Sequence, residues 1–319
     1  MTEHVVVDDA RYGFTWYRVD GQYFLESEDG YRRVNDSVVD LLNKLARGTL
    51  TVEELRAQAN GGPAVVEGSG TNPEEVLSLV ETYLERGILR EDEPVVRVTP
   101  PDDVRLWPRV AVFLLVLSAF GAVVAPIASS VSPALLSRLS VGQIASIAVL
   151  SAGFVAIHEY GHYAVSARHF DPSVRLDVVN GVVPAVVTDT TGSWTLPRNQ
   201  RIWINLAGPL LELGAAVPLV ALHYVFPNHL VVQLLLLAVF GHVVFALNPL
   251  IHGDGFWILC DYFGLRDVRQ RGFEDLRALR PSWTAAYVVV SYGLGAVLVV
   301  WMTVTLAALL GLVEFHVPV

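Results

Sequence analysis

The spacing of hydrophobic and polar residues divides the chain into two zones that meet near residue 100. In the first zone, short apolar stretches alternate with charged residues, which is typical of a small water-soluble domain. In the second zone, long apolar runs recur, each sufficient at about 1.5 Å per residue to cross about 30 Å of hydrocarbon. We therefore expect about five transmembrane helices, at residues 109–129, 141–165, 203–226, 230–250 and 283–312.

The pattern predicts a small α+β, winged-helix-like domain at residues 1–93, a proline-containing linker at 94–108 and an all-α membrane domain at 109–319. Turn and capping residues mark the elements of the first domain. They predict a hairpin at 17–26 around Asp20-Gly21, a strand at 31–34, and helices at 36–46, after Thr51 and after Asn72-Pro73.

Composition supports a membrane protein with a soluble part. A hydrophobic content of 53%, a charged content of 17% and a mean hydropathy of +0.46 are too apolar for a soluble chain of 319 residues. The first 100 residues carry 10 Arg and Lys against 19 Asp and Glu, a net charge of −9. Nucleic-acid binding needs a basic face, so we expect no nucleic-acid partner.

The arginines predict an orientation in the cell membrane. The start of the chain lacks the basic and apolar regions of a cleavable signal peptide, so we expect the N-terminus to remain in the cytosol. With that orientation, two cytosolic loops hold nine arginines, whereas the opposite side holds only Arg138. This bias favours a multi-pass protein with a cytosolic N-terminus and an external C-terminus.

The sequence His158-Glu159-Tyr160-Gly161-His162 lies inside the second predicted span. Histidines four residues apart share one helix face with Cβ atoms about 5–6 Å apart, so both can reach one metal ion. The intervening glutamate can then act on a metal-bound water, as in zinc-dependent hydrolases. Ionisable groups at membrane depth indicate function, although polar residues bonded to neighbouring helices are the alternative interpretation.

A hydrolytic zinc ion needs a third protein ligand and one open position. The single cysteine, Cys260, excludes a multi-cysteine site. The candidates at membrane depth are Glu212, His242, His252 and Asp254. Local chain chemistry favours Asp254, because Asn248-Pro249 breaks the fourth span and the glycines on either side of Asp254 let the backbone bend.

A valine-rich stretch at residues 178–187 surrounds Asn180-Gly181, a dipeptide typical of β-hairpins. An open strand edge at membrane depth is tolerated only against protein or a water-filled cavity. Such a hairpin could pair with an extended substrate, or it could simply cap the helical bundle.

Two segments of the first domain, residues 20–58 and 72–89, together resemble the small leader-peptide recognition domains of the PqqD type. These domains occur in pathways that make ribosomally synthesised, modified peptides. The resemblance implies that an extended leader peptide binds by strand addition beside the third helix. A regulatory or stabilising role is the alternative.

Residues 141–275 resemble the site-2 protease family of intramembrane zinc metalloproteases, in the branch near modified-peptide gene clusters. The resemblance is carried by HEYGH, by TDTTGSWTLPRNQRIWINLAGPLLELG and by NPLIHGDGFWILCDYFGLRDVRQRG. It implies that His158, His162 and Asp254 bind Zn²⁺ and that Glu159 is the general base and later proton donor. Asn248 is a candidate for holding the substrate backbone or oxyanion.

Two departures from the family pattern concern residues near the predicted ligands. Glu212 stands where the family usually has Asn or a small residue, and His252 and Gly253 replace more usual apolar and basic neighbours of Asp254. We expect Glu212 and His252 to line the cavity or to support the ligands without binding the metal themselves.

The leading hypothesis is a membrane zinc metalloprotease that removes the leader from a modified-peptide precursor. One alternative is a regulated protease that cuts a membrane-anchored regulator such as an anti-sigma factor. Another is a non-catalytic scaffold that passes a peptide to an exporter.

Overall fold

The structure is a computed structural model, and it describes residues 1–28, 30–60, 72–131, 139–179 and 183–309. The predicted turn at Asn180-Gly181, Arg138 and the last residues of the fifth predicted span lie outside the described residues. The chain forms two compact units. The first contains Met1–Val104, Ser166–Pro172 and Asp189–Gln200, and the second contains Arg105–Val165, Ser173–Thr188 and the residues from Arg201 onward.

Strands β1 to β9 of the described residues lie at Thr2–Val7, Tyr12–Gly13, Thr15–Val19, Gln22–Ser27, Gly30–Val34, Arg90–Glu91, Val95–Thr99, Ser173–Val179 and Val183–Asp189. Helices α1 to α11 lie at Asp36–Ala46, Val52–Ala59, Pro73–Glu85, Leu106–Ser130, Val141–Ser166, Arg198–Ala215, Val217–Val225, Leu230–Ala246, Asp254–Phe263, Val268–Arg277 and Trp283–Leu309. A short 3₁₀ helix at Thr191–Thr195 precedes α6.

The first unit contains a five-stranded sheet in the order β1-β7-β3-β4-β5. The hairpin of β3 and β4 and the third strand, β5, lie where the sequence predicts them. Asp20 and Gly21 have φ angles of 49° and 75°, and Val19 pairs with Gln22 across this two-residue turn, as in a type I′ hairpin. Strand β7 pairs in parallel with β3 and antiparallel with β1, a pairing that the local pattern does not predict.

Three capped helices cover one face of this sheet. Thr51 and Glu54 form the predicted capping box at the start of α2, and the Asn72 side chain caps α3. Gly87, at φ +62°, follows the end of α3, where a left-handed residue is favourable. The core beneath these helices includes the fully buried residues Leu25, Leu42, Leu55, Val80 and Ile88.

The other face of the sheet packs against the 3₁₀ helix that precedes α6. Trp194 contacts a small apolar cluster that contains Tyr17, Phe24 and Val98. The Tyr17 hydroxyl donates a hydrogen bond of 2.8 Å to Glu26. Burial, together with the negative charge of Glu26, raises the pKa of Tyr17 above its ordinary value. The first unit thus includes part of the segment between α5 and α6.

Three helical stretches of the described residues are long and apolar enough to cross a membrane: Leu106–Ser130, Val141–Ser166 and Arg198–Val225. The apolar helical stretches Leu230–Ala246 and Trp283–Val297 are shorter. Large apolar side chains such as Leu115 and Val149 are about 70% exposed, as expected of a lipid-facing surface. The second unit is therefore a helical domain compatible with membrane association, with three candidate spans where the sequence predicts five.

The core of the second unit lies between α4, α6 and α8. The rings of Phe120 and Phe240 stack with centroids 6.2 Å apart. Around them lie buried residues of the three helices, among them Phe113, Ile202, Leu206, Leu236 and Val243. This packing fixes α6 and α8, which carry Glu212 and His242.

Helices α5 and α6 approach each other at Gly161, inside the HEYGH sequence. A Cβ atom on Gly161 would lie 2.6 Å from the carbonyl oxygen of Ala207 and 2.8 Å from the Cα atom of Gly208. Both distances are shorter than real Cβ contacts, and both partners are backbone atoms that cannot rotate away. The two backbones can therefore pack at this distance only because residue 161 is glycine.

We expect Gly161→Ala to destabilise the second unit by about 1–3 kcal/mol, the usual cost of overpacking a close contact. Gly153→Ala on the same helix is the matched control, since its Cβ would have nothing within 4 Å, and alanine is the better helix former. Thermal unfolding of the purified protein in detergent measures both changes. Equal stability of the two variants would contradict the tight crossing.

Candidate metal centre

Helix α5 brings His158 and His162 to one point, as their spacing predicts. Their ring centroids lie 4.9 Å apart, and their Nε2 atoms lie 3.1 Å apart. Both residues are buried, with 3% and 5% of their surface exposed. The two Nε2 atoms are thus positioned to share one ligand.

Asp254 completes this group from the first turn of α9. Its Oδ2 lies 3.0 Å from Nε2 of His158, and its Oδ1 lies 3.3 Å from Nε2 of His162. Gly253, immediately before it, has the extended angles φ −150° and ψ −160° and starts the helix. Of the four candidates for the third ligand, Asp254 is the one whose side chain lies beside the Nε2 atoms of both histidines.

The chain is not helical between α8 and α9, just before Asp254. Polar side chains form hydrogen bonds with the backbone groups of this turn. The Asn248 side chain accepts a hydrogen bond of 3.0 Å from the Leu250 N–H. The hydroxyl groups of Tyr287 and Ser291, both on α11, donate to the carbonyl oxygens of Pro249 and Leu250. Asn248 therefore closes the turn that leads to Asp254, and its proposed contact with substrate remains a prediction.

Two further contacts fix the position of helix α9, one near each end. A Cβ on Gly255 would lie 2.0 Å from the carbonyl oxygen of Leu247, so the turn can fold back only at a glycine. At the other end of the helix, Arg201 of α6 donates a hydrogen bond of 2.6 Å to Asp261. This ion pair is almost buried, with side chains 8% and 11% exposed, and it connects α9 directly to α6.

The Nδ1 atoms of the two histidines face acceptors on α6. His162 Nδ1 lies 2.8 Å from the carbonyl oxygen of Ile204, and His158 Nδ1 lies 2.8 Å from Oε2 of Glu212. A carbonyl oxygen and an ionised carboxylate accept hydrogen bonds, so each Nδ1 is placed to donate one, and a metal ion on Nε2 would leave the proton of a neutral ring on Nδ1. Each Nε2 then presents a lone pair to the point shared with Asp254, as metal-binding histidines do.

Glu212 and His242 lie behind His158, on the side away from Asp254. Glu212 is completely buried, and its two oxygens lie 3.0 and 2.9 Å from Nδ1 of His242. His252, in contrast, packs against the rings of Phe256 and Trp257, with centroid distances of 5.0 and 5.2 Å.

Glu159 is held by the end of strand β9. The backbone N–H of Thr188 donates a hydrogen bond of 2.7 Å to Oε2 of Glu159, and the Thr188 hydroxyl donates to the Glu159 carbonyl oxygen at 3.0 Å. A carboxylate oxygen of Glu159 lies within 4.8 Å of ligand nitrogens of both His158 and His162. The sequence pattern does not identify Thr188 as a site residue. Its position at the polar end of a valine-rich strand is the one feature of the sequence that sets it apart.

The donor set fits a zinc ion. Zinc binds histidine nitrogen and carboxylate oxygen at about 2.0–2.2 Å in tetrahedral sites, which places neighbouring donors about 3.3–3.6 Å apart, so the donors here need to separate by only a few tenths of an ångström. The three donor separations here are 3.0, 3.1 and 3.3 Å. A Cβ on Gly208 would lie 2.4 Å from Nε2 of His162 and 2.9 Å from Nε2 of His158. The glycine thus keeps open the space beside the two nitrogens.

In comparisons with protein-family models, with curated proteins and with solved structures, nothing matches the chain. The functional interpretation therefore depends on the side chains described above.

We expect Gly208→Ala to abolish most zinc binding, because the added methyl group would occupy space beside both Nε2 atoms. Gly214→Ala, on the same helix, should leave zinc binding unchanged, since its Cβ would have nothing within 4 Å. The zinc content of the two purified variants, measured by atomic emission after dialysis, makes the comparison. Full zinc content in Gly208→Ala would exclude the metal position inferred here.

Proposed function

We propose that the chain is a zinc metallopeptidase of the cell membrane that hydrolyses a peptide bond. The observation that carries this function is the convergence of His158 Nε2, His162 Nε2 and the Asp254 carboxylate, with Glu159 on the same helix. Two histidines and one carboxylate are a donor set of hydrolytic zinc sites, and a glutamate beside them serves as the base. The zinc ion is the proposed cofactor.

When bound, zinc acts as a Lewis acid that lowers the pKa of a water molecule toward 7 and polarises a carbonyl group. Glu159 accepts a proton from the attacking water as the water oxygen bonds to the peptide carbon. The C–N bond then breaks, and Glu159 returns the proton to the leaving amine. The Thr188 N–H orients the Glu159 carboxylate during both transfers, because it binds Oε2 and leaves Oε1 available.

The proposed substrate is a ribosomally made precursor peptide, and the proposed reaction is removal of its leader. Support comes from the first unit, whose sheet has β1 and β5 as its outer strands and whose helix α3 lies within the second PqqD-like segment. A leader could add to an outer strand through main-chain hydrogen bonds. The N-terminus is proposed to lie in the cytosol and the C-terminus outside, in agreement with the arginine bias.

Two alternatives use the same residues differently. A regulated protease would cut a membrane-anchored regulator, whereas a scaffold would capture a peptide without cutting it. Neighbouring genes for a short precursor and its modifying enzymes favour leader removal, and a gene for a membrane-anchored regulator favours the first alternative. A membrane-embedded set of metal donors beside Glu159 is not needed by a scaffold.

We expect Glu159→Gln to reduce peptide cleavage by about 10²–10⁴-fold, the usual contribution of a general acid–base group. Zinc content should remain that of the wild type, because Glu159 is not one of the three proposed ligands. The assay uses full-length protein in detergent and a set of internally quenched peptides, with products identified by mass spectrometry. Tyr160→Phe is the control, since the Tyr160 side chain is 60% exposed.

Cleavage by Glu159→Gln at the wild-type rate would show that Glu159 is not the general base. A wild-type protein that binds zinc and cuts no peptide in the set, nor a precursor encoded beside its gene, would favour the scaffold.

A further inference from the structure

We propose that Glu212 and His242 are positioning residues that hold His158 in the orientation required for metal binding. Together the three side chains form a hydrogen-bonded row from α8 through α6 to α5. Their role concerns the affinity of the metal site, so the inference rests on the zinc site of the proposed function. It assigns a function to Glu212, the residue that departs from the site-2 protease pattern, and to His242.

The row begins at His158. Its Nδ1 lies 2.8 Å from Oε2 of Glu212, while its Nε2 lies 3.0 Å from Oδ2 of Asp254. A neutral imidazole has one N–H donor and one acceptor nitrogen. Glu212 offers an acceptor for a proton on Nδ1, and Nε2, beside the Asp254 carboxylate, is the nitrogen that would then bind the metal.

His242 fixes Glu212 in turn. Its Nδ1 lies 2.9 Å and 3.0 Å from the two carboxylate oxygens, and its ring centroid is 5.0 Å from that of His158. The Glu212 side chain is 1% exposed, whereas the His242 side chain is 31% exposed. A buried carboxylate with no hydrogen-bond donors is costly, and the two imidazole N–H groups supply those donors.

Charge also favours a cation at this position. Asp254 and Glu212 each bring a negative charge, and Glu159, whose carboxylate lies within 4.8 Å of ligand nitrogens of His158 and His162, brings a third. Buried negative charges need compensation, and a divalent cation supplies two positive charges. An asparagine at position 212 would leave one negative charge fewer around the same ion.

The two proposed histidine ligands differ in the group that accepts a hydrogen bond from Nδ1. His162 donates to a neutral backbone carbonyl, that of Ile204, whereas His158 donates to a carboxylate. A carboxylate partner raises the basicity of the ligating imidazole more than a neutral acceptor does, and loss of such partners typically costs about 10–100-fold in metal affinity. We therefore expect His158 to depend more strongly on its partner than His162 does.

The same atoms could in principle hold a second metal ion. Ligand atoms of His158, Glu212 and His242 all lie within 4.8 Å of one another. Two ions would, however, require His158 to lose both ring protons and bridge them. Hydrogen bonding needs one proton on each ring and satisfies every oxygen of Glu212, so the geometry favours one ion and a positioning row.

The test measures zinc affinity in full-length protein in detergent, by competition with a chromophoric chelator. Glu212→Gln should raise the dissociation constant of zinc by about 10–100-fold, because the amide has one acceptor for two donors. His242→Leu, which removes the donor, should raise it by about 10-fold. His242→Asn should restore affinity to within a few-fold of wild type, because the asparagine amide N–H replaces Nδ1–H.

His229→Leu, at the residue that precedes α8, is the matched control, since the His229 side chain makes no capping hydrogen bond there, and it should bind zinc like the wild type. Wild-type affinity in both Glu212→Gln and His242→Leu would overturn the inference and leave the proposed function intact. Two zinc ions per wild-type chain, reduced to one by His242→Leu, would overturn it in favour of a second metal site. A wild-type protein that binds no zinc would instead overturn the proposed function.

Discussion

The close approach of α5 and α6 is the constraint on which the candidate metal centre depends. Gly161 permits contact between the two backbones, and Gly208 leaves space beside the histidine nitrogens. The same approach brings the Ile204 carbonyl and the Glu212 carboxylate within hydrogen-bonding distance of the two rings. A wider separation of the helices would remove both acceptors, and the Nδ1 atoms of His158 and His162 would lose their hydrogen-bond partners.

A second requirement is that polar groups inside an apolar helical domain have partners, because an unsatisfied polar group is costly in apolar surroundings. Hydroxyl groups of α11 donate hydrogen bonds to backbone carbonyls of the non-helical turn before Asp254. Arg201 and Asp261 pair across α6 and α9, and Thr188 satisfies the Glu159 carboxylate. These polar contacts belong to the elements that carry the candidate site, which agrees with a functional role for it.

The parts of the site that are local in sequence could be predicted from it. His158 and His162 share a face because of helix periodicity. Asp254 follows Asn248-Pro249, a dipeptide that predicts the end of a helix. Thr188 and the partnership of Glu212 with His242 could not be predicted, since they depend on how separate helices pack and on their rotation. In the first unit, likewise, the turn residues at Asp20 predict the hairpin. The pairing of β1 with β7, which are far apart in sequence, could not be predicted from local pattern.

One zinc ion is proposed to bind to two histidines and a carboxylate within the second unit. Zinc K-edge X-ray absorption of the purified full-length protein tests it directly. The expected spectrum has only nitrogen and oxygen neighbours at about 2.0–2.1 Å and the outer-shell scattering of two imidazole rings, of which one is lost in His162→Ala. A sulfur neighbour at about 2.3 Å, which would implicate Cys260, or a spectrum unchanged in His162→Ala would contradict the account.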